Sequence, residues 1–128
     1  MTGSREAIDA PAAPTAAGPY SHAIKAGELL FCSGQLPLDP ASGEVVGGGA
    51  AAQAERCLLN LEAVCSAAGT ALSRAARLTV YLSNPAELTN VNVAYERFFD
   101  RAPPARTSVL VAALPRDAEV EIDAVVAL

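Results

Sequence analysis

The chain has 128 residues, 52% of them hydrophobic and only 18% charged, a composition expected of one compact domain spanning 1–128 rather than a disordered segment. Its net charge of −5, with nine basic residues scattered along the sequence, lacks the basic patch that nucleic-acid binding needs. No apolar stretch suits a bilayer crossing, and Met1–Ala10 has no basic-then-apolar signal pattern, so no membrane is expected and the expected location is the cytoplasm.

Two segments rich in Pro, Gly and Ala, Ala10–Pro19 and Asp39–Gly49, read as loops. Between them, Tyr20–Gly34 predicts two short strands turning at Ala26-Gly27. The unbroken apolar run Leu29-Leu30-Phe31-Cys32 predicts a strand covered on both faces. From Ala50 to Ala68 the period becomes helical. Ala54, Leu58, Leu61, Cys65 and Ala68 form the apolar stripe, with Gln53, Glu55, Arg56, Asn60, Glu62 and Ser66 expected on other faces. Gly69 then supplies a left-handed stop.

Arg77–Ser83 alternates as a strand, with Leu78, Val80 and Leu82 on one face. A second helix starts at the cap Asn84, with Pro85 and Glu87 behind it, and stripes Leu88, Val91, Tyr95, Phe98 and Phe99 toward the core. After Pro103-Pro104 come two strands, about Arg106–Leu114 and Ala118–Ala127. The second carries Val120, Ile122, Ala124 and Val126 on one face and Glu119, Glu121 and Asp123 on the other. This order predicts an α+β domain with two amphipathic helices on one face of a sheet. The other face is left for subunit contact if it is apolar.

Several chemistries drop out. Cys32, Cys57 and Cys65 are odd in number and lack Cys-x-x-Cys spacing, and His22 is the only histidine, so neither a disulfide framework nor a metal site is expected. Buried free thiols are the natural reading. Gly47-Gly48-Gly49 is not followed by Gly-Lys-Ser/Thr, and no Gly-x-Ser-x-Gly turn exists. What remains is Arg106 at the head of one strand and Glu121 on the next. A guanidinium grips a carboxylate through two parallel hydrogen bonds, and a glutamate can move a proton or orient water. Taken alone, each residue also fits a solvated surface.

Four segments in order resemble the RidA/YjgF family: Gly18-Pro19-Tyr20-Ser21; Phe31 to Leu38 with its Ser33-Gly34-Gln35; Val91 to Phe99; and Pro104-Ala105-Arg106 with Ser108-Val109, Leu114-Pro115 and Val120-Glu121-Ile122. The resemblance runs from about Ala10 to Val126. It implies a chorismate mutase-like fold of the trimeric type, a homotrimer with sites between subunits, and cofactor-free hydrolysis of 2-enamine and 2-imine acids to 2-keto acids and ammonia. In that scheme Arg106 anchors the substrate carboxylate and Glu121 activates water. Tyr20, Ser33, Gly34 and Asn92 line the pocket. Two departures stand out. Ser108 occupies a position where many members carry Cys, and the loop between Phe99 and Pro104 is shorter than in several relatives, an expected source of change in one wall of the cleft. Competing readings are a non-catalytic trimer that binds small carboxylates or a partner, a ribonuclease (disfavoured by the acidic charge), and another catabolic deaminase or hydrolase.

Overall fold

The computed structural model describes residues 4–99 and 101–128. Part of Met1–Ala10, and Asp100 within the short loop before Arg106, therefore lie outside the described residues.

Among the described residues, six strands and two α-helices follow one another: β1 (Arg5–Ile8), β2 (Ala23–Ala26), β3 (Leu29–Gln35), α1 (Gly49–Ala67), β4 (Ala75–Leu82), α2 (Leu88–Glu96), β5 (Ala105–Leu110) and β6 (Val120–Ala127). They make one mixed sheet in the order β1-β2-β3-β6-β4-β5. β6 lies antiparallel between β3 and β4, while β4 and β5 run parallel with α2 as their crossover.

Alternation decides which face is covered. Leu30 and Cys32 of β3, Leu78, Val80 and Leu82 of β4, and Val120, Ile122, Ala124 and Val126 of β6 are buried against the helices. Each fully buried Leu, Ile or Val contributes about 2 kcal/mol through removal of apolar surface from water. The helices supply Ala54, Leu58, Leu61, Val64, Val91 and Tyr95 to the same cluster. The three cysteines are free and buried there, and burial pushes the Cys57 thiol up, out of the reactive range.

Three expectations are corrected. The Leu29–Cys32 strand is covered on one face only: Leu29 and Phe31 remain 37% and 46% exposed, so the apolar run marks an uncovered sheet face. Gln53 and Asn60 do not face outward. Asn60 is buried and its Nδ2 donates to the Leu36 and Leu38 carbonyls at 3.1 and 3.0 Å, while Gln53 Oε1 accepts from the Glu119 amide at 2.8 Å. These amides satisfy backbone that no sheet partner reaches. The strand that begins at Ala105 ends at Leu110 rather than Leu114, and β1 was not anticipated. The second helix begins as a 3-10 turn at Pro85–Glu87, where Asn84 Oδ1 accepts from the Ala86 amide, as its capping role requires.

Candidate functional site

β3 departs from regular pairing with β6 between Cys32 and Gln35, and Ser33 and Gly34 occupy this irregular stretch. Such irregularities re-aim side chains. Here the backbone at Gly34 comes so close to β6 that a Cβ would lie 2.5 Å from Glu121 Oε2. Glycine here leaves the space that the Glu121 carboxylate occupies, and its backbone conformation is not left-handed. Ser33 Oγ donates to the Ser21 carbonyl at 2.7 Å, which commits its hydrogen and leaves its lone pairs free.

Ser33, Gly34, Glu121 and Tyr20 line a cavity of about 520 Å³, within the usual size range for small-ligand sites. Pro14–Ala17 form one wall, and Leu36, Leu38 and Pro115 contribute apolar surface. The wall is tied down by His22, a buried ring whose Nδ1 accepts from the Ala10 amide at 2.9 Å. Nε2 therefore carries the proton and donates to the Pro14 carbonyl at 2.8 Å. Asp9 lies 3.5 Å from Nδ1 on the surface, but that nitrogen's lone pair is already used. On the other side, Asn60 fixes Leu36 and Leu38. Tyr20 is half exposed at the rim, where its hydroxyl accepts from the Ala17 amide at 3.2 Å.

Glu121 is half buried, and burial pushes its carboxyl above the ordinary glutamate value, with Asp123 adding to the shift. Asp123 shares its face two residues along β6 and accepts from the Tyr81 hydroxyl at 3.1 Å. A carboxyl raised in this way exchanges protons closer to neutral pH.

Arg106 lies elsewhere. It pairs with Leu78 across β4–β5, whereas Glu121 pairs with Tyr81 across β4–β6. Directly paired residues project to the same face, so Arg106 belongs to the helix-covered face and Glu121 to the bare one, with β4 between their strands. Arg106 Nη2 donates to Asn92 Oδ1 at 2.7 Å, and its Cζ sits 4.7 Å from the Tyr95 ring centroid. Among the described residues no carboxylate lies within ion-pair distance of it.

The expected site residues thus fall into two groups within one chain. Tyr20, Ser33, Gly34 and Glu121 share the cavity, while Arg106 and Asn92 sit together on the opposite face. Asn92, expected to line the pocket, holds Arg106 through that hydrogen bond. Ser108 lies two residues beyond Arg106 on the same face and is exposed. His22, Asn60 and Tyr95 were not anticipated as site-shaping residues, although a lone histidine beside a Pro/Ala-rich loop and an asparagine in a helix near its apolar stripe were available signals.

The family model described as endoribonuclease L-PSP matches residues 10–128. A RutC family protein of Sinorhizobium fredii is 50% identical over 96% of this chain and 98% of its own. A 2-iminobutanoate/2-iminopropanoate deaminase of Bos taurus is 40% identical over 94% of this chain and 88% of its own. The crystal structure of RidA from an Antarctic Psychrobacter superposes with a TM-score of 0.92 at 36% identity, covering 96% of this chain and 99% of that one. The chain shares that fold.

Proposed function

Because the chain belongs to the RidA/YjgF family, whose model carries the description endoribonuclease L-PSP, we propose that it hydrolyses 2-imino and 2-enamine acids to 2-keto acids and ammonia. The observation that carries this reading is the raised, half-buried Glu121 carboxyl facing a cavity opened by Gly34. The named activity of the mammalian relatives supports it.

Each group has a task. A 2-imino acid has an electrophilic C2 and an adjacent carboxylate. Arg106, held only by neutral groups among the described residues, offers an uncompensated charge to that carboxylate. Glu121 takes a proton from water as the oxygen bonds to C2 and passes it to the imine nitrogen, giving a carbinolamine. It then takes the hydroxyl proton and hands it to nitrogen as the C–N bond breaks, leaving a C=O bond and releasing ammonia. Ser33 Oγ, with its lone pairs free, accepts from the imine N–H. The substrate is already reactive, so orientation and one proton carrier suffice. No step calls for a cofactor or metal.

Arg106 and Glu121 project from opposite faces, so a second chain must bring the guanidinium of one subunit to the cavity of another. We infer a homotrimer with its sites between subunits. The bare face supports this, since Phe31 and Leu29 are exposed on it, with Ile24 and Val125 beside them. A dehydratase releasing 2-aminoacrylate or its crotonate homologue from serine or threonine, coupled to the purified protein, tests the reaction. Keto-acid release accelerates with wild type and falls to the uncatalysed rate with Arg106→Ala. No acceleration by wild type overturns the reading.

A further inference from the structure

Asn92 and Tyr95 both lie on α2, three residues apart, and therefore face the same side of the helix. Arg106 arrives from the edge strand β5 and meets both: one Nη2 hydrogen goes to Asn92 Oδ1 at 2.7 Å, and the guanidinium carbon lies 4.7 Å from the Tyr95 ring centroid. The ring is itself immobilised. Tyr95 is 7% exposed, and its ring centroid is 4.8 Å from that of Phe99. Among the described residues its hydroxyl has no hydrogen-bond partner, so the ring face is the part of Tyr95 that interacts with polar chemistry.

We propose that Asn92 and Tyr95 form a two-point clamp that fixes the Arg106 guanidinium in its carboxylate-binding orientation. They are positioning residues, and the proposal rests on the deaminase reading above for the identity of the bound carboxylate. An arginine side chain is flexible, and an unrestrained one must be ordered each time a ligand binds. A ring under one face and an amide on one N–H remove that freedom in advance. Neither is an anion, so the positive charge stays available, and the rest of the five-donor fork is left for a bidentate grip. A carboxylate at position 92 would hold the guanidinium equally well but would neutralise it.

The test has two independent readouts. The first is the Arg106 Nε–H signal in the NMR spectrum of the ligand-free protein, which the Tyr95 ring face shifts upfield. The second is KM and kcat in the coupled assay, with 2-ketobutyrate binding measured by calorimetry. Tyr95→Leu is expected to abolish the upfield shift and raise KM about tenfold, with kcat much less affected. Tyr95→Phe restores both the shift and the wild-type KM, because the ring is retained. Asn92→Ala, at a half-buried position that tolerates truncation, raises KM similarly, and Asn92→Asp raises it further by pairing the charge. The clamp is overturned if Tyr95→Leu or Asn92→Ala folds with wild-type KM, or if wild type lacks the ring-current shift. A wild-type protein that shows the shift but neither turns over imine nor binds 2-ketobutyrate overturns the deaminase reading instead.

Discussion

Gly34→Ala separates the site's geometry from the fold's stability. A Cβ built on Gly34 lies 2.5 Å from Glu121 Oε2, 3.2 Å from Cδ and 3.4 Å from Cγ. Ordinary van der Waals contact is near 3.5 Å, so the carboxylate must retreat by roughly 1 Å. The groups that give way are the far end of a flexible side chain, so the backbone of β3 and β6 need not move. Replacing glycine where the backbone suits any residue stabilises by about 0.4–1 kcal/mol through the unfolded chain, which offsets the small cost of moving Glu121. Misplacing a proton carrier by about 1 Å costs on the order of 100-fold in rate, or about 2.7 kcal/mol of barrier. Thermal unfolding followed by circular dichroism is therefore expected to give a Tm close to wild type, while kcat in the coupled dehydratase assay falls by about two orders of magnitude. A variant with wild-type kcat refutes the assignment of Glu121 as the proton carrier at this close approach. A variant that loses activity only because it unfolds refutes the claim that the contact is local.

The raised Glu121 carboxyl also predicts a pH-dependent stability. Its folded value lies above its unfolded one, so the folded state binds the proton more tightly, and stability declines as pH rises from the ordinary glutamate range toward the raised value. Glu121→Gln removes that penalty. Urea titrations should find the variant inactive but more stable than wild type at pH 7, with the difference vanishing below pH 4; an equal or lower stability at pH 7 contradicts the burial argument. Truncating His22→Ala strands the Ala10 amide and the Pro14 carbonyl and leaves a void. A loss of about 2–4 kcal/mol is expected in urea unfolding, together with faster exchange of the Ala10 amide, and unchanged exchange would show that His22 does not hold the cavity wall.

Much of the architecture was legible because period and punctuation agree. The alternation in Arg77–Ser83 and Val120–Val126, the stripe ending at Gly69, and the Asn84-Pro85 start each have a local physical cause, and each appears where expected. What was not legible depends on tertiary partners. Asn60 and Gln53 look like solvent-facing helix residues until the backbone at 36–38 and 119 arrives with unsatisfied groups. The run Leu29–Cys32 reads as doubly covered because sequence cannot say whether a covering layer comes from the same chain. Arg106 and Glu121 stand out by elimination and Tyr20, Ser33, Gly34 and Asn92 by family resemblance, but their division between two faces follows from β4 lying between β5 and β6, a pairing that chain order conceals.

In the proposed trimer, Arg106 and Glu121 act together only across a subunit boundary. Subunit mixing tests it most directly. Arg106→Ala and Glu121→Gln proteins are each expected to be inactive alone. Unfolded together and refolded at equal concentration, they give interfaces in which an intact Arg106 from one variant meets an intact Glu121 from the other. Random assembly of a cyclic trimer makes this true of about one site in four, so the mixture should regain about a quarter of wild-type activity. Mixed trimers that form, as native mass spectrometry would verify, yet regain no activity would show that Arg106 and Glu121 do not meet across the interface.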